Sequence, residues 1–287
     1  MPSNRRIDRS RFRPKKSLGQ HFLVDRGTLD RMIALAGFAD SDTVLEIGPG
    51  RGVLTLPLAR RVGRLVAVEK DKRLVQFLLD RLNRAGIANV HVVNQDILNW
   101  DFDGIKEAAA GQRIHVIGNL PYNISSPVVE KIIRNRNRIG KAVLMFQKEV
   151  AQRLTASPGS KAYGALTLLV QYHVRPREVL AVSRTAFRPR PKVDSAVLSL
   201  DFSEPRPYRS VGEAAFRKTV RAAFAHRRKT LLNSLASLTP PVEKRHLLDL
   251  LEGCGVEPSR RAETLSMEEF LRIAAALELT RHEGDVR

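Results

Sequence analysis

From Asp42 to about Phe202, short apolar runs alternate with stretches whose apolar residues recur at helical spacing. Runs of consecutive Val, Ile and Leu are typical of strands buried on both faces, and their alternation with helices predicts a series of βαβ units. We therefore expect an α/β fold. The predicted strands are Val44–Ile47, Leu65–Val68, Val90–Val93, Ile114–Ile117, Ala142–Phe146, Arg177–Val182 and Ser195–Phe202, the last closing a hairpin-like pair after a Pro-rich loop.

Beyond Ser203–Pro207 the pattern predicts helices alone, so we place a domain boundary in this Pro-rich stretch. Residues 1–16 are a basic arm, residues 17–203 the α/β domain and residues 204–287 a small all-helical domain. Apolar residues three and four positions apart predict a bundle core in the last part. The predicted helices lie near Val211–Ala225, Lys229–Leu238, Val242–Leu251 and Ser266–Leu277, with Gln147–Leu154 and Tyr163–Tyr172 in the α/β domain.

Glycines and acids directly follow the first three predicted strands. Gly48, Gly50 and Gly52 come after the first strand, and Glu69 follows the second, 19 residues after Gly50. Glycine allows close approach of the backbone to a ligand, and an acid at this distance suits ribose hydroxyls. Asp96 follows the third strand. The sequence therefore predicts a nucleotide-type site at the carboxyl edge of the sheet.

The spacing of these glycines departs from the dinucleotide fingerprint, which needs two residues between its second and third glycines. Val53 stands where that fingerprint has its last glycine. We therefore favour S-adenosylmethionine, which has no pyrophosphate, over a nicotinamide or flavin cofactor. The sequence contains no Gly-Lys-Ser/Thr phosphate loop, which argues against nucleotide hydrolysis.

The fourth strand ends at Gly118-Asn119-Leu120-Pro121-Tyr122. An amide oxygen and a backbone carbonyl both accept hydrogen bonds from an exocyclic amine, and a tyrosine ring stacks on the base that carries it. The same residues also suit a strand-to-helix turn, with Pro121 setting φ and Ser125 or Ser126 capping the next helix. The motif alone leaves both interpretations open, and the three preceding strand ends favour a base site.

The chain carries 49 Lys and Arg against 30 Asp and Glu, a formal net charge of +19. Such an excess favours a polyanionic partner, nucleic acid above all. The excess is clustered: residues 5–16 hold seven basic residues against Asp8, and residues 217–229 hold six with no acid. The first cluster suits either an RNA-binding arm or a solvated tail, whereas the second lies on a predicted amphipathic helix whose basic face we expect to contact RNA.

Together these residues resemble a known family, the small-subunit (16S) ribosomal RNA adenine N6,N6-dimethyltransferases of the KsgA type. The resemblance covers nearly the whole chain, and Phe224–Leu231 is similar to the signature of this housekeeping branch. His21 departs from the Asn that is more common in this pattern. The resemblance implies a Rossmann-like class I S-adenosylmethionine-dependent methyltransferase sheet with a small helical C-terminal domain. Its motifs are Ser17–Leu23, Leu45–Gly50, Asn119–Tyr122 and Phe187–Ser195.

The resemblance also implies roles for individual residues. The cofactor would be flanked by His21 and Leu23 and contacted by the loop that contains Glu46, Gly48 and Gly50. Its ribose would bind Glu69 and its adenine amine Asp96. Asn119 would lie between the cofactor and the target base and contact both. The base would also meet Leu120, Pro121 and Tyr122, with Phe187 either closing the pocket or serving as a core aromatic. The expected RNA contacts are Arg188, Arg190, Lys192, Arg221, Arg227, Arg228 and Lys229.

The predicted chemistry needs no dedicated general base. The lone pair of an adenine N6 is delocalised into the ring, and hydrogen bonds to Asn119 and the Leu120 carbonyl would favour a more tetrahedral, nucleophilic nitrogen. The sequence shows no His, Cys and Asp cluster with metal-ligand spacing, so we predict a metal-independent reaction.

Three hypotheses follow for the function. The first is dimethylation of two adjacent adenosines near the 3′ end of 16S rRNA, within a small ribosomal subunit or its assembly precursor. The second is methylation of 23S rRNA by an enzyme of the erythromycin-resistance type. The third is an RNA-binding assembly or transcription factor that keeps the fold without using the cofactor, but the residues that such a protein would lose are present. The lone Cys254 and the lack of a long apolar run favour a cytoplasmic protein, for which we expect a monomer.

Overall fold

A computed structural model of the protein describes residues 20–105, 111–204, 208, 211–226, 228–238 and 242–284. Residues 280–284 are described by their backbone alone. The predicted basic arm, residues 1–16, lies outside the described residues. The described strands are β1 Phe22–Leu23, β2 Thr43–Ile47, β3 Arg64–Glu69, β4 Val90–Asn94, β5 Ile114–Asn119, β6 Ile139–Gln147, β7 Arg177–Val182, β8 Phe187–Arg188 and β9 Ser195–Asp201.

Seven of these strands form one sheet in the order β4-β3-β2-β5-β6-β9-β7. The first five are parallel, whereas β9 runs antiparallel to both of its neighbours, β6 and β7. All seven predicted strands are therefore confirmed, and so are the α/β class and the antiparallel pair after the Pro-rich loop. The two-residue strands β1 and β8 were not predicted, and they pair with each other.

Helices cover both faces of the sheet, which explains why its strands read as continuous apolar runs. Along β2, Leu45 packs into the same core cluster as Val128. Val44, which points the opposite way, packs with Met32 in a second cluster. The helices of this domain are α1 Arg26–Ala36, α2 Thr55–Ala59, α3 Lys72–Arg84, α4 Ser125–Arg134, α5 Lys148–Leu154 and α6 Ala165–Gln171.

Helix α4 begins without the serine cap considered above. Its first residue, Ser125, donates its hydroxyl to the Pro121 carbonyl at 3.4 Å, and no side chain caps the helix. A short 3-10 turn, Tyr122–Ile124, runs directly into α4 instead. That part of the turn interpretation is therefore wrong, because the preceding turn already leads the backbone into the helix.

The remaining helices form a lobe that packs around another core cluster, which contains Phe216, Leu231, Leu251 and Phe270. This core continues into the first domain, since the Tyr172 ring stacks on Phe216 with centroids 4.5 Å apart. The lobe therefore packs on the segment around α6. Its helices, all at predicted positions, are α7 Glu213–Phe224, α8 Leu231–Leu235, α9 Lys244–Gly253 and α10 Met267–Gly284.

Candidate active site

A deep cavity opens at the carboxyl edge of β2 to β5 and encloses about 1150 Å³ of empty space, including its open mouth. Residues 20–23 supply a further wall. Parallel strands end at the same edge of a sheet, and this is why residues far apart in the sequence meet here. The predicted residues that line the cavity are His21, Leu23, Glu46, Gly48, Gly50, Glu69, Asp96, Asn119, Leu120, Pro121 and Tyr122.

The order of the strands arranges these residues along the edge. Because β4, β3, β2 and β5 are successive neighbours, Asp96, Glu69, Gly48 and Asn119 follow one another in that order. Neighbouring strands lie about 4.8 Å apart, so the row spans roughly 15 Å. The cavity therefore suits an extended ligand that lies across the strand ends.

Gly50 is required by the close approach of the N-terminal segment. Its φ of 58° lies in the left-handed region, and a Cβ on it would stand 3.2 Å from the Phe22 ring. Another residue would be strained and would also push Phe22 away. The glycine loop thus forms the floor of the cavity beneath Phe22.

Glu69 is buried at the end of β3 and holds the loops on both sides of it. Its two carboxylate oxygens accept hydrogen bonds from the Gly50 N–H at 3.1 Å and the Asp71 N–H at 2.8 Å. Burial raises the pKa of Glu69, and these two N–H groups oppose the rise. A carboxylate has about four acceptor positions, so Glu69 keeps capacity to accept a ligand hydroxyl.

Asp96 lies beyond the end of β4 and lines the cavity together with Lys70. The Lys70 ammonium donates to one carboxylate oxygen at 2.8 Å, and the Leu98 N–H donates to the other at 3.0 Å. Burial alone would raise the pKa of Asp96, but these donors outweigh it and the pKa is lowered. Asp96 is thus an ionised acceptor at neutral pH.

Glu46 differs from the other two acids because its side chain is almost fully buried in the wall of the cavity. Burial raises its pKa to about 8, the Thr55 hydroxyl partly offsets this rise, and the nearby Glu69 carboxylate adds to it. Its Oε2 atom has no hydrogen-bond partner among the described residues. A buried carboxyl in this state favours a ligand that brings a donor to it.

Asn119 ends β5 with its amide held in one orientation. The Nδ2 atom donates to the His21 carbonyl at 3.1 Å. The amide therefore directs its other atom, the acceptor Oδ1, elsewhere. This is the atom that the sequence predicts to accept a hydrogen from an exocyclic amine.

Tyr122 and His21 form a stacked pair beside Asn119, with ring centroids 5.3 Å apart and an interplanar angle of 27°. The Tyr122 hydroxyl shares a 3.1 Å hydrogen bond with Ser195, and burial raises the pKa of Tyr122. The His21 Nδ1 donates to the Pro189 carbonyl at 2.9 Å. Three distant segments thus fix the plane of the tyrosine ring.

Phe187 lies in a different environment from the other predicted residues. It is fully buried, pairs with Leu23 across β1 and β8, and belongs to the apolar cluster beneath them. The cavity lining given by the described residues does not include it. In this structure Phe187 supports the N-terminal wall, and its predicted contact with a target base stays a prediction.

The predicted RNA contacts fall on two surfaces. Arg188, Arg190 and Lys192 are exposed on one loop. The Pro189 carbonyl of the same loop accepts the hydrogen bond from His21 at the cavity. Arg221 is exposed on α7 and lines a shallow depression together with Arg217 and Lys218. Arg228 and Lys229 are exposed in the turn before α8, whereas Arg227 lies outside the described residues.

Two features are absent from the described part of the chain. No group of three or more His, Cys, Asp and Glu side chains there could hold a metal ion. Among the same residues, no helix is both long and apolar enough to cross a bilayer. The metal independence of the reaction stays a prediction.

Comparison with known proteins identifies the family. The model of the family described as "Ribosomal RNA adenine dimethylase" matches residues 11–279. The chain belongs to this family. Proteins named "Ribosomal RNA small subunit methyltransferase A" are similar over most of their length: 44% identity to that of Desulforapulum autotrophicum, covering 94% of both chains, and 46% to that of Moorella thermoacetica, covering 92% of this chain and 93% of the other.

Solved structures agree with this family assignment. A dimethyladenosine transferase from Plasmodium falciparum is 30% identical with a TM-score of 0.73, covering 91% of this chain and 98% of that one. The 23S rRNA methyltransferase ErmE is 28% identical with a TM-score of 0.68, covering 90% and 99%. The class I methyltransferase fold is thereby confirmed, and the resistance type is the more distant relative.

Three residues that form or support the candidate site were not predicted from the sequence. The Phe22 ring lies over Gly50, and the Arg51 guanidinium lies over the Phe22 ring itself. The Ser195 hydroxyl shares a hydrogen bond with the Tyr122 hydroxyl. Phe22 and Ser195 belong to motifs that carry the family resemblance, which is the signal that could have identified them. For Arg51 the signal is its position inside the glycine loop.

Proposed function

We propose that this protein dimethylates N6 of two adjacent adenosines near the 3′ end of 16S rRNA in the small ribosomal subunit, with S-adenosylmethionine as methyl donor, as a step of ribosome biogenesis. The observation that carries the proposal is the anchored Asn119 amide beside the Tyr122 ring, in one cavity with Glu69 and Asp96. Membership of the ribosomal RNA adenine dimethylase family supports the same reaction.

The residues present fit this cofactor. The glycine loop lets a ligand approach the backbone, Asp96 is an ionised acceptor for an adenine amine, and Glu69 keeps lone pairs for ribose hydroxyls. The unpartnered Glu46 oxygen suits a ligand with a cationic group. When bound, S-adenosylmethionine supplies an electrophilic methyl group on a sulfonium sulfur.

The residues of the chain then position the target amine. In the first transfer Asn119 Oδ1 and the Leu120 carbonyl accept hydrogen bonds from the two N6 hydrogens, so that the nitrogen lone pair turns out of the plane of the ring. The nitrogen gains a methyl group and loses one proton to solvent, and its one remaining hydrogen donates to one of these two acceptors in the second transfer. Tyr122 stacks on the base, and His21 and Ser195 hold the tyrosine in place. Well-oriented reactants lower a barrier by roughly 7 to 11 kcal/mol, so positioning supplies the main catalytic effect.

The basic surfaces extend the binding site beyond one base. Arg188, Arg190 and Lys192 lie next to the cavity, and we assign them to phosphates close to the target. We assign Arg221, Arg228 and Lys229 on the helical lobe to phosphates farther away. We further propose that Phe187 completes the target pocket, that the enzyme is a cytoplasmic monomer and that it uses no metal.

The decisive experiment is methyl transfer from labelled S-adenosylmethionine to undermethylated small and large ribosomal subunits in parallel. The digested RNA is then examined by mass spectrometry. We expect dimethyladenosine at two adjacent positions of the small-subunit RNA, with activity that survives exhaustive chelation. Transfer to the large subunit alone, or binding to the small subunit without transfer, would overturn the proposal.

A further inference from the structure

A carboxylate at the start of α7 joins the helical lobe to the α/β domain. Glu213, the first residue of α7, accepts a hydrogen bond from the Arg136 guanidinium at 2.8 Å. Its other carboxylate oxygen lies 3.4 Å from the His173 imidazole and 3.8 Å from the Arg217 guanidinium. Arg136 follows α4 and His173 follows α6, so both belong to the α/β domain, whereas Arg217 lies one turn further along α7. Side chains of both domains therefore meet at Glu213.

The cluster around Glu213 is partly buried. The exposed fractions of its side chains are 29% for Glu213, 18% for Arg136, 21% for Arg217 and 1% for His173. Salt screens partly buried charges less than exposed ones, and an acid in the first turn of a helix also interacts favourably with the helix dipole. We therefore expect these contacts to persist at the salt concentration of the cell.

Helix α7 runs antiparallel to α6 from this cluster. Near Glu213, the Tyr172 ring stacks on Phe216 with centroids 4.5 Å apart, and farther along α7 the Tyr163 ring meets Phe224 edge-on with centroids 6.4 Å apart. Apolar contacts of this kind are non-directional and allow a helix to slide, whereas hydrogen bonds and ion pairs at its first turn define one position. A change at Glu213 should therefore shift the whole of α7 relative to the α/β domain.

The position of α7 matters because this helix carries part of the basic surface of the lobe. Arg217, Lys218 and Arg221 line the shallow depression on α7. The other basic surface lies on the loop of residues 188–192 beside the cavity. Two linked binding surfaces strengthen each other only when one substrate can reach both at once. The distance between the two surfaces depends on where α7 rests on the α/β domain.

We infer that Glu213 is a positioning residue for the RNA substrate. Its contacts with Arg136 and His173 hold the basic face of α7 at a fixed place relative to the cavity, so that both basic surfaces engage one small-subunit RNA together. This inference rests on the proposed function, which assigns the basic surfaces to RNA phosphates. Glu213 is an acid that phosphates repel, so its contribution to RNA binding acts through the basic residues of α7.

The negative charge of Glu213 makes the sign of the effect informative. Removal of an acid beside Arg217 raises the local positive potential, so electrostatics alone predicts tighter RNA binding by Glu213→Gln. Loss of position predicts the opposite. We expect the full-length variant to bind undermethylated small ribosomal subunits at least about tenfold more weakly. Its KM should rise, whereas its single-turnover rate at saturating substrate and its affinity for S-adenosylhomocysteine should equal those of the wild type.

A double-mutant cycle separates position from stability. Arg221→Ala should weaken subunit binding in the wild-type background, because it removes a phosphate contact. In the Glu213→Gln background the same change should have little further effect, since a misplaced α7 no longer brings Arg221 to the RNA. A variant that was merely less stable would still bind normally when folded, and the two effects would then add.

Two further variants complete the test. Arg136→Met breaks the same contact from the α/β domain and leaves α7 unchanged, so it should weaken subunit binding and show the same non-additivity with Arg221→Ala. Glu130→Gln is the matched control, because it removes the same charge and an ion pair with Arg134 inside α4. It should bind subunits at least as tightly as the wild type.

The outcomes separate this inference from the proposed function. Unchanged or tighter subunit binding by Glu213→Gln, or effects that add with Arg221→Ala, would overturn the inference and leave the proposed function standing. Loss of S-adenosylhomocysteine binding in Glu213→Gln and in Arg136→Met would mean that the cluster supports the whole fold, and the inference would again be wrong. If the wild type neither binds nor methylates small subunits, both proposals fail.

Discussion

At the scale of single residues, the hydrogen bond from the Asn119 amide to the His21 carbonyl decides which atom faces an incoming base. A positioned hydrogen-bond partner of this kind is worth about 10² to 10³ in turnover when an enzyme uses it in the transition state. We expect Asn119→Ala to lower single-turnover methylation by about 100-fold or more. The affinity for S-adenosylhomocysteine should change far less, because the glycine loop and the acids remain.

The matched control for this variant is Asn83→Ala, which removes an exposed amide from α3. Its turnover should equal that of the wild type. Unchanged turnover in Asn119→Ala would remove Asn119 from the chemistry and return the motif to a plain strand-to-helix turn.

The Tyr122 ring should strengthen RNA binding by stacking on the target base, and its hydroxyl should do so by holding the ring in position. Stacking of a base on an aromatic side chain is worth roughly 1 to 3 kcal/mol. Tyr122→Ala should therefore weaken the binding of a target RNA fragment by about 5- to 150-fold. Tyr122→Phe keeps the ring and loses the hydrogen bond to Ser195, so its loss should be smaller. Equal losses in the two variants would assign the effect to the hydroxyl instead.

The buried Glu46 carboxyl predicts a pH dependence of stability in the cofactor-free protein. Its pKa is raised from 4.5 to about 8 in the fold, so the folded state holds a proton that the unfolded state has lost between these pH values. Stability then falls as the pH rises through this window, by at most about 1.4 kcal/mol per pH unit. Glu46→Gln removes this effect and should raise the melting temperature at pH 8 much more than at pH 5.

Thermal melting across this pH range measures the difference, and Glu252→Gln on the exposed side of α9 is the control. That substitution removes a solvated carboxyl, so its melting profile should follow the wild type. A Glu46→Gln protein whose melting temperature differs from the wild type by the same amount at pH 5 and pH 8 would contradict the titration.

At the scale of elements, the strands could be predicted because each contains a short run of mainly apolar residues. The central strands β2, β5 and β6 are buried along most of their length, whereas β4 and β7 at the edges of the sheet are more exposed. The strands β1 and β8 could not be predicted, since two residues carry no periodicity and pair only after the fold brings together positions 164 and 166 residues apart. The position of β9 between β6 and β7 is likewise a property of the topology.

The candidate site likewise contains residues that could be predicted from the sequence and contacts that could not. Glu69, Asp96 and Asn119 could be predicted because each follows a strand whose end is visible in the sequence. The contacts of His21 with Pro189 and of Tyr122 with Ser195 could not, because they join segments that meet only in the folded protein. The orphaned state of Glu46 also needs the fold, since the sequence does not show which polar atoms lack partners.

Helix α7 should be a main support of the lobe because Phe216 is fully buried and stacks on Tyr172. Truncation of a buried phenylalanine typically costs about 3 to 5 kcal/mol. Phe216→Ala should therefore lower the free energy of unfolding by this amount in urea titrations. Leu79→Ala on α3 removes a side chain that is 42% exposed and should cost far less. Similar losses in the two variants would mean that the Phe216 cluster contributes little to the lobe.

At the scale of the whole molecule, the net charge of +19 predicts binding that depends strongly on salt. If the protein neutralises six to ten phosphates, its affinity for RNA falls by about 10³ to 10⁵ between 50 and 200 mM salt. Lys229→Ala should reduce the slope of log affinity against log salt by about 1, measured by fluorescence anisotropy. Arg84→Ala, at the exposed end of α3 and not among the residues of either basic surface, should leave the slope unchanged. If the affinity of the wild type for RNA did not change with salt, the assignment of both basic surfaces to RNA phosphates would be wrong.

The shared core between the sheet domain and the helical lobe limits how the chain can be divided. Tyr163, Leu168 and Tyr172 precede the predicted boundary in the sequence, yet they are buried among lobe residues. A shortened protein that stopped at the boundary would expose these three side chains to water and would tend to aggregate. The sheet domain therefore cannot simply be transferred on its own into another protein. A shortened methyltransferase made from this chain must keep the lobe or carry a redesigned surface where the lobe packs.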